Sequence, residues 1–150
     1  MINLKRTNSE DQAFIDLVKL LDNELAAVDG EDHAFYSQFN KITKIRHVVI
    51  AYDDEIPLGC GAIKVHRMDA MEIKRMYVTP ENRHKGIASG ILKELEKWSL
   101  ELLHDTCILE TGKRQPDAIR LYTKSGYKLI PNYGQYIGVE NSVCFWKKLI

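Results

Sequence analysis

The stretch Met76-Tyr77-Val78-Thr79-Pro80-Glu81-Asn82-Arg83-His84-Lys85-Gly86-Ile87-Ala88 joins an apolar strand to an amphipathic helix. Upstream, Met71 and Ile73 are followed by Met76 and Val78, so the apolar phase slips by one residue between Lys74 and Met76. One extra residue in a strand produces such a slip, and β-bulges often sit beside active sites. Burial of both faces is the alternative, because alternation then carries little information. Downstream, Ile87, Ile91, Leu92, Leu95, Trp98 and Leu102 form one helical face, with Lys93, Glu94, Lys97 and Glu101 on the other. The first N–H groups of a helix lack intrahelical partners and carry partial positive charge. Gly86 and Ala88 are small enough for an anion to approach the backbone, and Arg83, His84 and Lys85 add positive charge. The turn reads as a pyrophosphate site, or as an ordinary basic turn opening a helix. It is neither a GxxxxGK[ST] loop nor a GxGxxG fingerprint; what stands there is R-x-x-G-x-A after the fourth strand.

Working outward, residues 47–52, 58–65 and 71–78 read as a three-strand meander turning at Asp53-Asp54-Glu55. Residues 2–6 form a first strand. Ser9 and Gln12 fit a capping box, and Phe14, Leu17, Val18, Leu21 and Leu25 follow at helical spacing until Gly30. A second helix is expected through Ala34, Phe35, Phe39 and Ile42. On the other side lie a fifth strand at 107–110 and a helix that Pro116 opens and Gly126 stops, then strands at 127–130 and 143–149. The order predicts one α/β (α+β) domain over residues 1–150, a mixed sheet flanked by helices.

Composition excludes several classes. The chain has 150 residues with 21 Lys plus Arg against 21 Asp plus Glu, a net charge of zero, which argues against nonspecific nucleic-acid binding. The longest apolar run, near residues 48–52, is far short of the roughly 20 residues that span a bilayer. The first residues show no apolar core of a secretion signal, so no membrane partner is expected and the location is expected to be cytoplasmic. Cys60, Cys107 and Cys144 lie in strand-like stretches without CxxC spacing, which suits buried free thiols in a reducing compartment. The five histidines show no paired-ligand spacing, so no metal is expected.

The quoted stretch resembles the acetyl-CoA loop of the GNAT N-acetyltransferase superfamily, V-x-P-x-x-R/Q-x-x-G-x-G/A. A second segment, Gln115-Pro116-Asp117-Ala118-Ile119-Arg120-Leu121-Tyr122-Thr123-Lys124-Ser125-Gly126-Tyr127, is similar to the family's N-x-x-A-x-x-L-Y-x-x-x-G-F/Y. The family's usual Asn is Gln115, or Asp117, here. The resemblance implies a mostly antiparallel seven-stranded sheet with about four helices, the fourth and fifth strands splayed around acetyl-CoA as co-substrate. Carried over, backbone around Met76, Tyr77 and Val78 would hold the pantetheine arm. Arg83, His84, Lys85, Gly86, Ile87, Ala88 and Ser89 would hold pyrophosphate. Gln115, Ala118, Tyr122 and Lys124 would complete the cofactor side. The resemblance leaves a homodimer open, and no exposed stripe demands one.

The chemistry has its own requirement. An alkylammonium with a pKa near 10 cannot attack a thioester at neutral pH until a base removes its proton. Glu72, six residues before Val78, stands where histone-type members of the family place their base, and is the expected general base; Tyr122 is the expected general acid at the departing sulfur. Glu110, at the end of the fifth strand, competes for the base role, and water or a backbone-assisted transfer with no dedicated base is the remaining alternative. Glu72 pairing with Lys74 or Arg75, and Tyr122 as a plain core aromatic, are the structural alternatives. For the acceptor, Asp22, Glu24, Asp29, Glu31 and Asp32 lie in a stretch free of Lys and Arg, next to Phe35, Tyr36 and Phe39, and an aromatic loop holds Tyr133 and Tyr136. Acids with aromatics suit a cationic amine, with Glu31, Tyr36, Glu110 and Tyr133 as the expected contacts; a solvated helix end is the alternative. The expected activity is N-acetylation of a small-molecule primary amine. The competing readings are a protein or peptide N-acetyltransferase and a non-catalytic acyl-CoA sensor.

Overall fold

A computed structural model describes residues 1–37 and 44–150. Its elements run β1 (Ile2–Thr7), α1 (Gln12–Asp29), α2 (His33–Ser37), β2 (His47–Asp53), β3 (Ile56–Arg67), β4 (Ala70–Val78), α3 (Ile87–Glu101), β5 (Thr106–Gly112), α4 (Pro116–Lys124), β6 (Lys128–Ile130) and β7 (Ser142–Lys148). The expected mixed seven-stranded sheet is present, in the order β1-β2-β3-β4-β5-β7-β6. Against about four expected helices, the described residues hold three of nine residues or more and the five-residue α2. Phe39 and Ile42 of the expected second helix lie outside the described residues. No helix among the described residues is long and apolar enough to cross a membrane.

Side-chain alternation along the strands sorts the core onto two faces. Val48 and Ile50 of β2 pack with Phe14, Leu17, Val18 and Leu21 of α1. Val49 and Ala51 pack on the other face with Ile91, Leu92 and Leu95 of α3 and Tyr122 of α4. A third, smaller cluster joins Tyr36, Tyr136 and Cys144. The three cysteines are buried and free.

One local expectation is corrected. The cap of α1 is Asp11, whose carboxylate accepts from the Ala13 N–H at 3.0 Å, and not Ser9. Ser9 is buried and ties the chain to Ile45 instead: its Oγ accepts from Ile45 N at 3.0 Å and its N–H donates to Ile45 O at 2.9 Å. Asp11 and Ser9 are both good caps, and the tertiary contact with Ile45 decides between them.

The phase slip in β4 is a bulge. Cys60 pairs with Tyr77 and Ala62 with Lys74, so Gly61 alone faces both Arg75 and Met76. Arg75 takes a φ of 58°, the left-handed region that non-glycine residues rarely occupy. A Cβ on Gly61 would stand 2.4 Å from the Met76 sulfur and 2.9 Å from Ile91 and Leu95 carbons. The bare backbone of Gly61 is what lets the bulge and α3 pack together.

Beyond the bulge the sheet opens. β4 and β5 are parallel and pair only at Ala70–Thr106, Met71–Cys107 and Glu72–Ile108. β4 then continues to Val78 with β3 as its partner, while β5 keeps its antiparallel partner β7 as far as Gly112.

Candidate active site

The parting strands border a cleft of about 1080 Å³ between α1, α3, α4, β4 and β5. One end is the N-terminus of α3. Its cap position is Gly86 at φ 82°, with no side chain capping the first N–H groups. A left-handed residue costs little only for glycine, and the uncapped amides leave a site for an anion. Gly86, Ile87, Ala88, Ser89 and His84 line this end, whereas Lys85 is exposed and lies outside the lining.

Arg83 has a different setting from a free phosphate ligand. Its Nε donates to Val78 O at 2.8 Å, its Nη2 donates to Glu24 at 2.8 Å, and its guanidinium lies 5.5 Å from the centre of the Tyr77 ring. The side chain braces the end of β4 against α1 while lining the cleft. Met76, Tyr77 and Val78 form the β4 wall, and Gln115, Ala118, Tyr122 and Lys124 line the α4 side.

Tyr122 is buried beside Tyr127 and Phe145, with ring centres 5.7 and 6.4 Å away. Among the described residues its hydroxyl makes no hydrogen bond. Burial, with the charge of Glu110 as a lesser cause, holds its pKa above the ordinary phenol value. The hydroxyl therefore stays protonated and can donate into the cleft.

The two candidate carboxylates part company. Glu72 belongs to the last β4–β5 pair, before the strands separate, and is not part of the cleft lining. It is 9% exposed, and its Oε2 accepts a 2.6 Å hydrogen bond from Tyr133 OH. Glu110 lies beyond the last pair and lines the cleft. Burial pushes its carboxyl up to about 7; the Ser142 hydroxyl and the charge of Lys74 pull it down, and the charges of Asp29 and Glu72 push it further up. Its Oε2 is buried and lacks a hydrogen-bond partner. A carboxyl that changes charge near neutral pH suits proton transfer.

The acids grouped in the sequence at 22–32 do not form a bare anionic pocket. Asp22 pairs with Arg75 at 2.7 Å, Glu24 with Arg83 and Asp32 with Arg114 at 3.2 Å. Asp29 is buried at the cleft wall, where burial raises its pKa. Glu31 and Tyr133 lie outside the lining, while Tyr36 is in it, its hydroxyl 2.8 Å from Ser142 Oγ. Sequence reasoning missed Lys74, Arg75 and Arg114, which also line the cleft. Lys74 and Arg75 lie at the phase slip, which was the available signal for them; for Arg114 the signal was the basic run over 113–124.

Comparison with known proteins agrees with this geometry. The family model of the acetyltransferase (GNAT) domain matches residues 44–129, more than half the chain. The IAA acetyltransferase of Azospirillum brasilense is 27% identical over 138 residues, covering 90% of both chains. A Klebsiella pneumoniae protein assigned to the acyl-CoA N-acyltransferases superposes with a TM-score of 0.84 at 25% identity, covering 100% of this chain and 99% of its own. The PaiA N-acetyltransferase of Thermoplasma acidophilum, solved in complex with coenzyme A, shares the fold with a TM-score of 0.71 at 19% identity, covering 99% of each. With its splayed strands, its uncapped helix start and this family match, the chain belongs to the GNAT family and is an acetyltransferase.

Proposed function

We propose that residues 1–150 act as one N-acetyltransferase domain that moves the acetyl group of acetyl-CoA to the primary amine of a small molecule, with Glu110 as general base. The observation that carries the assignment of the base is the position of Glu110: beyond the last β4–β5 pair, in the cleft, with a pKa near 7. Glu72 is the less suitable base, since its carboxylate accepts from Tyr133 outside the cleft. Relatives of the same fold bind coenzyme A and acetyl-CoA. The residues here fit that co-substrate: the edge of β4 beyond Glu72, which β5 no longer covers, offers backbone to an amide-bearing arm, and the α3 N-terminus offers amides to phosphates. The three buried, unpaired thiols suit a reducing, cytoplasmic setting.

Acetyl-CoA supplies an activated acyl carbon. The chain supplies position and proton handling. Glu110 takes a proton from the acceptor ammonium, freeing its lone pair. Tyr122 donates a hydrogen bond where the departing sulfur gathers charge. Overall the N–C bond forms and the C–S bond breaks; one proton of the ammonium rests on Glu110 and the second reaches the sulfur.

Calorimetry with acetyl-CoA, followed by thiol release with a panel of amines, tests the reading. Absence of binding would overturn it. Binding without turnover of any amine or lysine peptide would favour an acyl-CoA sensor instead.

A further inference from the structure

The acceptor side of the cleft sets a cation, Lys74, across the opening from the Glu110 carboxyl. Glu72 and Ile108 are a register pair, so Lys74 and Glu110, each two residues further on, stand on that same face of the sheet, on opposite lips of the opening. It is the face of α1, because Lys74 pairs with Ala62, which packs against that helix.

Lys74 is half-buried and lines the cleft, yet among the described residues it has no hydrogen bond or ion pair. Of the acids on this side, Asp22 is paired with Arg75, Glu24 with Arg83 and Asp32 with Arg114, and Glu72 accepts from Tyr133, which leaves Glu110 as the carboxyl whose titration Lys74 affects. Arg75 beside it is charge-paired with Asp22, but its side chain is 3% exposed and its Nε is buried without a partner. The buried side-chain polar atoms lacking a partner among the described residues are Arg75 Nε and Glu110 Oε2, one on each lip. A partly buried charge is stabilised by an opposite charge beside it. A ligand that completes this site therefore carries an anion near Lys74 and an amine near Glu110.

We propose that the acceptor bears a carboxylate next to its amine, as in an α-amino acid, with Lys74 binding the carboxylate while Glu110 serves the amine. This rests on the acetyltransferase reading with Glu110 as base. Leu21, Leu25 and Tyr36 line the same side and give an apolar side chain a place to lie. Protein N-termini and lysine side chains lack the neighbouring carboxylate, so the proposal also selects small molecules over proteins.

The test compares leucine and phenylalanine with their amides and with 3-methylbutylamine and 2-phenylethylamine, by thiol release from acetyl-CoA. The amides keep the shape but lose the charge, and their amines deprotonate more easily, so a preference for the acids cannot come from basicity. The wild type is expected to favour each acid at least tenfold in kcat/KM. Lys74→Met is expected to bring that ratio to about one, chiefly through a higher KM for the acids, and Lys74→Arg to keep most of it. Equal or better use of the carboxylate-free amines by the wild type overturns the proposal, as does a ratio that survives Lys74→Met. Acetyl-CoA binding with no turnover of either amino acid overturns this proposal alone. No acetyl-CoA binding overturns the acetyltransferase reading beneath it.

Discussion

The Tyr133 hydroxyl donates to Glu72 Oε2 across 2.6 Å, joining the loop between β6 and β7 to the fourth strand. The bond engages the carboxylate that the sequence favoured as base. Gln at position 72 can still accept from Tyr133, so Glu72→Gln should lower kcat by less than about tenfold, below the range for loss of a general base. Its negative charge raises the Glu110 pKa. The acidic limb of the pH–rate profile should therefore persist and move to lower pH. Disappearance of that limb would return the base role to Glu72.

Glu110→Gln should remove the limb. In the wild type, log kcat/KM is expected to rise with unit slope up to a break near the Glu110 pKa of about 7. The variant should lose roughly 10²- to 10⁴-fold in kcat/KM and follow only the titration of the acceptor amine. A variant that keeps the break would show that another group produces it.

The same residue sets a stability trend. In the unfolded chain Glu110 titrates near its ordinary 4.5, and in the folded protein near 7. Between those values the folded state binds more protons, so stability falls as pH rises through the window and levels off above it. The total is on the order of 3 kcal/mol. Glu110→Gln lacks this decline. Urea unfolding should find it more stable than the wild type at pH 8 and close to it at pH 4.5. A difference that does not vary with pH would mean that the carboxyl is not desolvated.

Tyr122→Phe removes a hydroxyl that bonds to no described residue. Its ring contacts with Tyr127 and Phe145 remain. Turnover should fall roughly 10- to 100-fold, at the lower end of what a positioned proton donor contributes, while the acetyl-CoA Kd from calorimetry stays near that of the wild type. Parallel losses in both would assign the tyrosine to binding.

Gly61→Ala places a methyl where the Met76 sulfur and the Ile91 and Leu95 carbons already stand. Overpacking of this kind costs about 1–3 kcal/mol, read as a lower Tm, and should weaken acetyl-CoA binding because the bulge moves. Met76→Ala in the same chain should recover part of the loss, since the two side chains share one space. Strict additivity of the two substitutions would place the strain elsewhere.

What the sequence revealed was local. The slip between Lys74 and Met76 is visible because a bulge breaks a two-residue period within the strand itself, and Gly86 ahead of an apolar helical stripe marks the uncapped helix start. The different settings of the two carboxylates were hidden, because contacts made at long range produce them. Tyr133 reaches Glu72 from 61 residues away, and the burial that lifts Glu110 comes from packing across β5 and β7. The acids of α1 looked free for the same reason: Arg75 and Arg83 are 53 and 59 residues from Asp22 and Glu24. The sequence pointed to Ser9 as the cap of α1, and the contact with Ile45 that holds Ser9 away is again made at long range.

The sheet is two antiparallel plates, β1 to β4 and β5-β7-β6, seamed by three parallel residue pairs. So short a seam gives little cohesion of its own, and an amide-bearing arm laid along the open edge of β4 would bridge the plates as a further strand does. With such an arm in place the joint would be firmer than without it, so the cohesion of the two plates would depend on whether the cleft is filled.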